Sequence, residues 1–319
     1  MENVTSNKMS PTAGFSHGVG AWYWILRGLI CFVILAGNVP VIYLIVRRHR
    51  LHTVSNWFII SLSFADLLVG VFVIPVSTSC ALWTKCNISV MILFFDLLLF
   101  VSIGNMCAMT ADRYFSVVQP LTYFQNMTNS RVLRWIVAAW VIPIIFSIIP
   151  FAWIFSKSSE EKRRSEMIYG TIQIISFNVL PCVIMLLIYG HIFVISRKHT
   201  RQIRALSVDN ATEEPSAFTS RRKKQERSAT RVFGLVLFIF VLCWLLSAYR
   251  HFCGYFKLRC PMSPGTVHSS RLLMVTNSAI NPFIYALVKE DIKREVRKRF
   301  CRSRSNVEEF SSSLPSRTR

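Results

Sequence analysis

Long apolar segments, separated by short polar ones, dominate the residue pattern of this chain. A helix needs about 20 predominantly apolar residues to cross the roughly 30 Å hydrocarbon core of a bilayer. The charged residues are concentrated between the apolar segments. The pattern therefore predicts seven membrane-spanning helices, at about Trp22 to Val46, Asn56 to Cys80, Ser89 to Tyr114, Leu133 to Phe155, Met167 to Ile195, Thr230 to Tyr249, and Leu272 to Val288.

The segment after the last span has a helical pattern of its own. Ile292, Val296 and Phe300 recur on one face, and lysines and arginines occupy the other. This spacing is typical of a helix that lies on the inner membrane surface. The predicted fold class is an all-α integral membrane bundle of seven helices with a short amphipathic eighth. Its segments are an amino terminus (1–21), the bundle (22–288, with a third cytoplasmic loop at about 196–229), the surface helix (289–301) and a tail (302–319).

Composition supports a membrane protein, since 52% of the residues are hydrophobic and only 17% are charged. The net charge of +21 would also suit a nucleic-acid partner, but the basic residues flank the apolar segments and form no finger or basic-zipper pattern. Most of the lysines and arginines fall on one side of the predicted topology. By the positive-inside rule, the amino terminus is extracellular and the carboxyl terminus cytoplasmic. Residues 1–20 lack the pattern of a cleaved signal peptide, so we expect the first span to serve as the insertion signal.

Polar and charged side chains inside the spans are candidate functional residues, because they are costly in hydrocarbon. Every predicted span carries a polar or otherwise distinctive residue. They are Asn38; Asp66; Ser102, Asn105 and Asp112-Arg113-Tyr114; Trp140; Pro181 and Tyr189; Cys243-Trp244; and Asn277 with Asn281-Pro282-Phe283-Ile284-Tyr285. This ordered set resembles the rhodopsin-like (class A) G-protein-coupled receptors over about residues 22–301, with biogenic-amine receptors the most similar group. The resemblance implies a plasma-membrane receptor that binds a small extracellular ligand within the bundle and activates a heterotrimeric G protein.

The same resemblance implies a switch at the cytoplasmic face. Asp112, Arg113 and Tyr114 close the third span, and Arg113 is expected to pair with Asp112 and Glu226 in the inactive state. Tyr189 and Tyr285 match the family tyrosines that line the position of the arginine in the active state.

A sodium pocket is the second site that the resemblance implies. It is formed by Asp66, Ser102, Asn277 and Asn281, beneath Trp244. Carboxylate, hydroxyl and amide oxygens suit a hard cation. A polar network filled by water is the alternative, and no other cofactor is expected.

The ligand site departs from the amine-receptor pattern. Asp96 stands one residue after the position of the amine-binding aspartate, which Phe95 occupies, and one residue is a rotation of about 100° on a helix. Asp96 therefore faces either the cavity or a neighbouring helix. Arg27, Arg250 and Arg271 would instead favour an anionic small molecule or an acidic peptide, and a ligand-free, constitutively active receptor is a further alternative. The candidate ligand-binding residues are Phe95, Asp96, Gln173, Trp244, Ser247, His251 and Arg271.

The extracellular cysteines also depart from the family, whose bridge from the third span to the second extracellular loop cannot form here. Cys80, Cys86, Cys253 and Cys260 allow three pairings, of which the two within-loop pairs are favoured. Four more cysteines, Cys31, Cys107, Cys182 and Cys243, are expected to be apolar helix residues.

Modification sites and further partners complete the prediction. Asn3 begins an Asn-Val-Thr glycosylation motif, and Cys301 is a candidate for palmitoylation beside the basic surface helix, where it would contact membrane lipids. The serine-rich tail suits control by a receptor kinase and arrestin. The sequence contains no enzyme motif, so the chain is expected not to be an enzyme. It also lacks the inverted repeats of a transporter and a lysine in the seventh span that could hold retinal.

Overall fold

The computed structural model describes residues 20–82, 86–119, 122–123, 125, 127–154, 159–209, 238–254, 256, 263–289 and 291–297. All regular secondary structure in these ranges is helical. Within them, five helices are long and apolar enough to span a membrane: α1 (Ala21–Arg47), α2 (Val54–Cys80), α3 (Val90–Val118), α4 (Asn129–Trp153) and α5 (Glu160–Ile195). Three shorter or broken elements follow, α6 (Phe238–Gly254), α7 (Pro264–Val288) and α8 (Asp291–Arg297).

The ends of α5 and α7 differ from the prediction. The fifth helix begins at Ser159 rather than at Met167, and the seventh at Pro264 rather than at Leu272. Ser263 caps α7 by accepting a hydrogen bond from the backbone nitrogen of Thr266 at 3.2 Å, and a proline suits the first helical position. Both helices start in polar residues, which a search for apolar segments excludes.

The predicted sixth span is only partly covered by the described residues. Its first part, 230–237, lies outside them, and α6 continues beyond the predicted end at Tyr249 to Gly254. The helix of the fifth span continues beyond its predicted end at Ile195 to Asp209.

Proline shapes α2 and α5 in the same way. A π-helical turn at Val69–Val73 precedes Pro75, and another at Ile174–Val179 precedes Pro181. Proline has no backbone N–H and its ring collides with the carbonyl four residues earlier, so a wider turn relieves the collision. Each turn also rotates the residues on its extracellular side relative to the rest of the helix.

The outer surface of the bundle is apolar. Phe32 and Leu187 are 69% and 68% exposed, and many other large apolar side chains of α1, α4 and α5 are exposed with them. Such a surface is unfavourable in water and suits contact with lipid tails. The centrally placed α2 and α3 are instead about half buried along their length.

Polar contacts join the central helices. Trp140 of α4 donates from Nε1 to Ser61 Oγ of α2 at 3.0 Å, and Ser61 donates to Asn105 Oδ1 of α3 at 2.5 Å. Asn38 of α1 donates to the backbone oxygen of Ser278 in α7 at 3.3 Å. Interhelical hydrogen bonds of this kind help fix the packing of helices in a membrane.

The contact between α3 and α4 depends on Gly104. A Cβ atom at this position would lie 2.8 Å from the backbone oxygen of Ala139, so the two helices would have to separate. We expect Gly104→Ala to destabilise the bundle by about 1–3 kcal/mol, seen as a lower melting temperature of the detergent-purified receptor. Gly190→Ala is the matched control, because nothing lies within 4 Å of a Cβ there. Equal melting temperatures for the two variants would contradict this packing.

The cysteines follow the predicted division. Cys80 and Cys86 form a disulfide with a Cα–Cα distance of 5.3 Å, which confirms the first within-loop pair. Cys253 is also disulfide-bonded, and its predicted partner, Cys260, lies outside the described residues. Four helix residues carry free thiols, Cys31, Cys107, Cys182 and Cys243.

The eighth helix packs where the amphipathic pattern predicts. It leaves α7 at an angle of 83°, and its apolar Ile292 is 1% exposed. Asn56 donates to Asp291 Oδ2 at 3.1 Å, and Arg48 forms an ion pair with Glu295 at 3.6 Å. These contacts hold α8 against the carboxyl end of α1 and the amino end of α2. Residues 298–301, including Cys301, lie outside the described ranges.

Candidate functional site

A cavity opens at the end of the bundle that the loop charges predict to be extracellular. Its volume is about 370 Å³, which is near the lower end of the range of roughly 300–1,000 Å³ for small-molecule sites. Its size favours a small molecule over a folded partner. The lining comes from six helices and combines charged with apolar side chains: Arg27, Ser77, Met91, Ile92, Phe95, Asp96, Glu166, Arg250, His251, Gly254 and Arg271.

Asp96 is part of this lining, which resolves the question that the sequence left open. Its side chain is only 6% exposed, and its Oδ2 accepts a hydrogen bond from Gln173 Nε2 at 2.9 Å. Gln173 directly precedes the π-helical turn of α5, which sets the direction in which its amide leaves the helix. The one-residue offset from the amine-receptor pattern therefore does not remove Asp96 from the cavity, and Phe95 lines it as well.

The other predicted ligand-binding residues differ in how they relate to the cavity. His251 and Arg271 line the cavity. Gln173 contributes through its contact with Asp96. Trp244 and Ser247 are almost completely buried and are not among the lining residues; the ring of Trp244 packs at 5.8 Å from that of Phe240.

Several lining residues were not singled out from the sequence. Ser77, Met91, Ile92, Glu166 and Gly254 gave no signal, because each is an ordinary residue for a span or a helix end. Arg27 and Arg250 were recognised as charges inside or beside spans, and both line the cavity.

The three arginines are held by different neighbours. Arg27 donates from Nη1 to the Tyr23 hydroxyl at 3.0 Å and from Nη2 to Ser77 Oγ. Arg250 donates from Nη2 to His251 Nε2 at 3.0 Å and lies 3.9 Å from Met274 Sδ. Arg271 experiences repulsion from both other guanidinium groups. The upper bundle therefore carries a concentration of positive charge around Asp96.

Midway through the bundle, Asp66 is completely buried. Its Oδ1 accepts from Ser102 Oγ at 2.9 Å, and its Oδ2 accepts from Asn281 Nδ2 at 2.7 Å. Both donors are neutral, so they do not balance the charge of an ionised carboxylate. Asn277, the fourth predicted member, donates from Nδ2 to Met106 Sδ at 3.5 Å. The Asp66 carboxylate and Ser102 Oγ supply oxygen atoms of the kind that a hard cation takes as ligands, and both asparagines direct Nδ2 to their present partners.

At the opposite end of the bundle, which the loop charges predict to be cytoplasmic, Ser55 of α2 joins the two charged residues of the Asp112-Arg113-Tyr114 motif. Its hydroxyl accepts from Arg113 Nη2 at 2.9 Å and donates to Asp112 Oδ2 at 2.8 Å. Tyr123 donates to Asp112 Oδ1 at 2.5 Å. The expected partner Glu226 lies outside the described residues.

Aromatic members of the predicted switch surround this charge pair. The ring of Tyr114 lies 5.7 Å from that of His191. Tyr285 is 1% exposed, and Tyr189 packs against the same buried core. Tyr189 on α5 and Tyr285 on α7 are both near enough to Arg113 to interact with its charge.

The sequence did not predict the link between this end and α8. Lys289 donates from Nζ to Ser55 Oγ at 3.1 Å and to Asn56 Oδ1 at 2.5 Å. Burial and the charge of nearby Arg113 lower the pKa of Lys289, which follows the seventh span, to about 7. Ser55 is therefore shared between Arg113 and Lys289. A serine at the start of a span is common, so no sequence signal marked it.

Comparison with known proteins agrees with this architecture. The family model described as "7 transmembrane receptor (rhodopsin family)" matches residues 37–285. Octopamine receptor beta-2R of Chilo suppressalis is 27% identical over 312 residues, which cover 83% of this chain and 76% of the relative. 5-Hydroxytryptamine receptor 1B of Mus musculus is 27% identical, in an alignment that covers 87% of each chain. The family match spans most of the chain and includes the motifs of α1 to α7, so the chain belongs to the rhodopsin family of seven-transmembrane receptors, the G-protein-coupled receptors.

Proposed function

We propose that this receptor detects a small extracellular molecule that carries an ammonium group, and that Asp96 binds this group. The observation that carries the proposal is the position of the Asp96 carboxylate, buried and yet part of the cavity lining. A buried carboxylate is costly unless it is paired, and a ligand cation would pair with it under a low local dielectric. The relatives named as octopamine and 5-hydroxytryptamine receptors support a ligand of this class.

Asp96→Asn tests this assignment, because asparagine keeps the size of the side chain and removes its charge. We expect the potency of an activating amine to fall at least about 30-fold, since loss of one partner of a buried charge pair costs about 2–5 kcal/mol. The measurement is a concentration–response series for G-protein activation with a panel of aryl-ethylamines. Glu166→Gln is a suitable control, because this carboxylate also lines the cavity but is exposed. Equal potency on wild type and Asp96→Asn would make Asp96 a structural residue.

An anionic ligand is a second candidate, favoured by the three arginines in the same lining. Arginine presents a fixed fork of donors that suits a carboxylate or a phosphate. If only anionic compounds activate the receptor, and Arg271→Ala removes that response, recognition rests on the arginines and the ammonium assignment is wrong.

The orientation proposed for the receptor follows from loop charge. The amino terminus with the Asn3 glycosylation site is extracellular, and the carboxyl terminus with Cys301 is cytoplasmic. A palmitoyl chain on Cys301 would add an anchor in the membrane lipids beside α8. The tail serines are the proposed targets of a receptor kinase and, after phosphorylation, of arrestin.

The G-protein contact is proposed to centre on Arg113. Its bond to Ser55, together with the bond from Ser55 to Asp112, would stabilise the inactive state. Activation would release Arg113 toward the G protein, with Tyr189 and Tyr285 beside its new position. Glu226 remains part of this proposal as a further inactive-state partner.

Sodium is the proposed ligand of the Asp66 network. The neutral donors Ser102 and Asn281 leave the charge of the carboxylate unbalanced, and a sodium ion would balance it. Asp66, Ser102, Asn277 and Asn281 would hold the ion and stabilise the inactive state. A network of water molecules is the alternative.

A further inference from the structure

The extracellular cavity presents both signs of charge to a ligand. Asp96 contributes one buried carboxylate, and Arg27, Arg250 and Arg271 contribute three guanidinium groups. All four side chains line a space of about 370 Å³, so any small ligand inside it is within the field of all of them. The ligand must therefore satisfy an arrangement of mixed charge.

A simple amine would satisfy only part of this arrangement. Its ammonium group would pair with Asp96, but it would add a further positive charge to a region where Arg27 and Arg250 already repel Arg271. An acid without an amino group would pair with the arginines, but its carboxylate would be repelled by the buried carboxylate of Asp96.

Of the three arginines, Arg250 is best placed to act together with Asp96. Its charge acts directly on the Asp96 carboxylate, and its guanidinium group is oriented by His251 and Met274. Arg27 is already engaged with Tyr23 and Ser77 on the α1 side. Asp96 and Arg250 are therefore the two opposite charges in the cavity lining that a ligand with both an acid and an amine would meet together.

We infer that the ligand is a small zwitterion of the α-amino-acid type, whose ammonium group binds Asp96 and whose carboxylate binds Arg250. This inference rests on the proposed role of Asp96. An α-amino acid carries both charged groups on one carbon atom, and arginine can bind a carboxylate through two parallel hydrogen bonds. Met91, Ile92 and Phe95 form an apolar part of the lining that suits an aromatic or aliphatic side chain.

Ligand sets that share one skeleton provide the test. Tryptophan carries both charges, tryptamine only the ammonium group, and indole-3-propionate only the carboxylate; phenylalanine, phenethylamine and 3-phenylpropionate form a second set, and leucine, isoamylamine and 4-methylpentanoate a third. Binding to the purified receptor is measured as a ligand-induced rise in melting temperature, because a ligand that binds only the folded state stabilises it. G-protein activation is measured in parallel. In at least one set, we expect the zwitterion to bind at least about tenfold more tightly than either single-charge analogue.

Variants of Arg250 identify the group that reads the carboxylate. Arg250→Gln is expected to weaken binding of the zwitterion about tenfold or more while binding of the matching amine is kept or improved. Retained amine binding would also show that this variant is folded. Arg250→Lys keeps the charge and should recover part of the zwitterion affinity. Arg163→Gln is the control, because Arg163 is an exposed arginine paired with Glu160.

The outcomes separate this inference from the proposed function. One outcome is that the amine of each set binds as tightly as the zwitterion and that Arg250→Gln changes the binding of neither ligand. In that case the inference of a zwitterionic ligand is wrong, while the ammonium site at Asp96 stands. If the acids alone bind, and Asp96→Asn leaves their binding unchanged, both proposals are wrong. No binding by any member of the three sets would overturn both as well.

Discussion

Replacing Arg113 by alanine is expected to lower receptor-stimulated nucleotide exchange at least about 30-fold, because the arginine is proposed to form charged hydrogen bonds in the complex with the G protein, and truncating one partner of such a contact costs about 2–5 kcal/mol. The side chain is half-buried near the carboxyl end of α3, and its hydrogen bonds include one from Nη2 to Ser55 Oγ at 2.9 Å. Its fixed charge would matter most in the complex with the G protein. The measurement is GTP uptake by a purified heterotrimeric G protein on vesicles that contain the variant.

A matched control separates this effect from a general loss of positive charge. Arg134 is an exposed arginine near the cytoplasmic start of α4, and Arg134→Ala should leave exchange close to that of wild type. The amount of Arg113→Ala at the cell surface and its melting temperature should stay near the wild-type values. That result would show that the variant is folded. Normal exchange by Arg113→Ala would contradict the assigned role of the arginine.

Asp66→Asn is expected to abolish stabilisation of the receptor by sodium. In wild type, a sodium concentration about a hundredfold above the dissociation constant would stabilise the folded state by about 2.7 kcal/mol. Asparagine has nearly the same size as aspartate and can still form hydrogen bonds, but it lacks the charge that the cation would balance. The melting temperature of the variant should therefore not change when sodium is added. The measurement compares melting temperatures in sodium chloride and in choline chloride at equal ionic strength.

Sodium must act through Asp66 for this account to hold. A sodium response of the same size in Asp66→Asn would place the ion elsewhere. If wild type itself does not respond to sodium, the network of Asp66, Ser102 and Asn281 contains water instead.

Much of the fold could be predicted from the sequence because the apolar segments are long. Their centres match helices of the structure, and the pairing of Cys80 with Cys86 follows from the short loop between them. The ends of the helices could not be predicted from the apolar segments alone. Helices α5 and α7 begin in polar residues stabilised by capping and first-turn charges, which hydropathy does not register.

The candidate sites show where sequence reasoning stops. Motif residues such as Asp66 and Asn281 could be placed together because the family pattern fixes their depth in the membrane. Which way the Asp96 side chain points could not be predicted in the same way. It depends on the rotation of α3 relative to α5 and on the π-helical turn beside Gln173. Ser55 gave no signal, because its role comes from three neighbours on other helices.

The most direct test of the account is ligand-stimulated nucleotide exchange by a purified G protein on vesicles that contain this receptor and no other membrane protein. The amine and amino-acid sets described above are added to wild type and to Asp96→Asn. The account predicts that at least one compound accelerates exchange on wild type and that Asp96→Asn needs a concentration at least about 30-fold higher. Exchange that is unchanged by every compound, or equally accelerated in both proteins, would contradict a receptor that reads its ligand through Asp96.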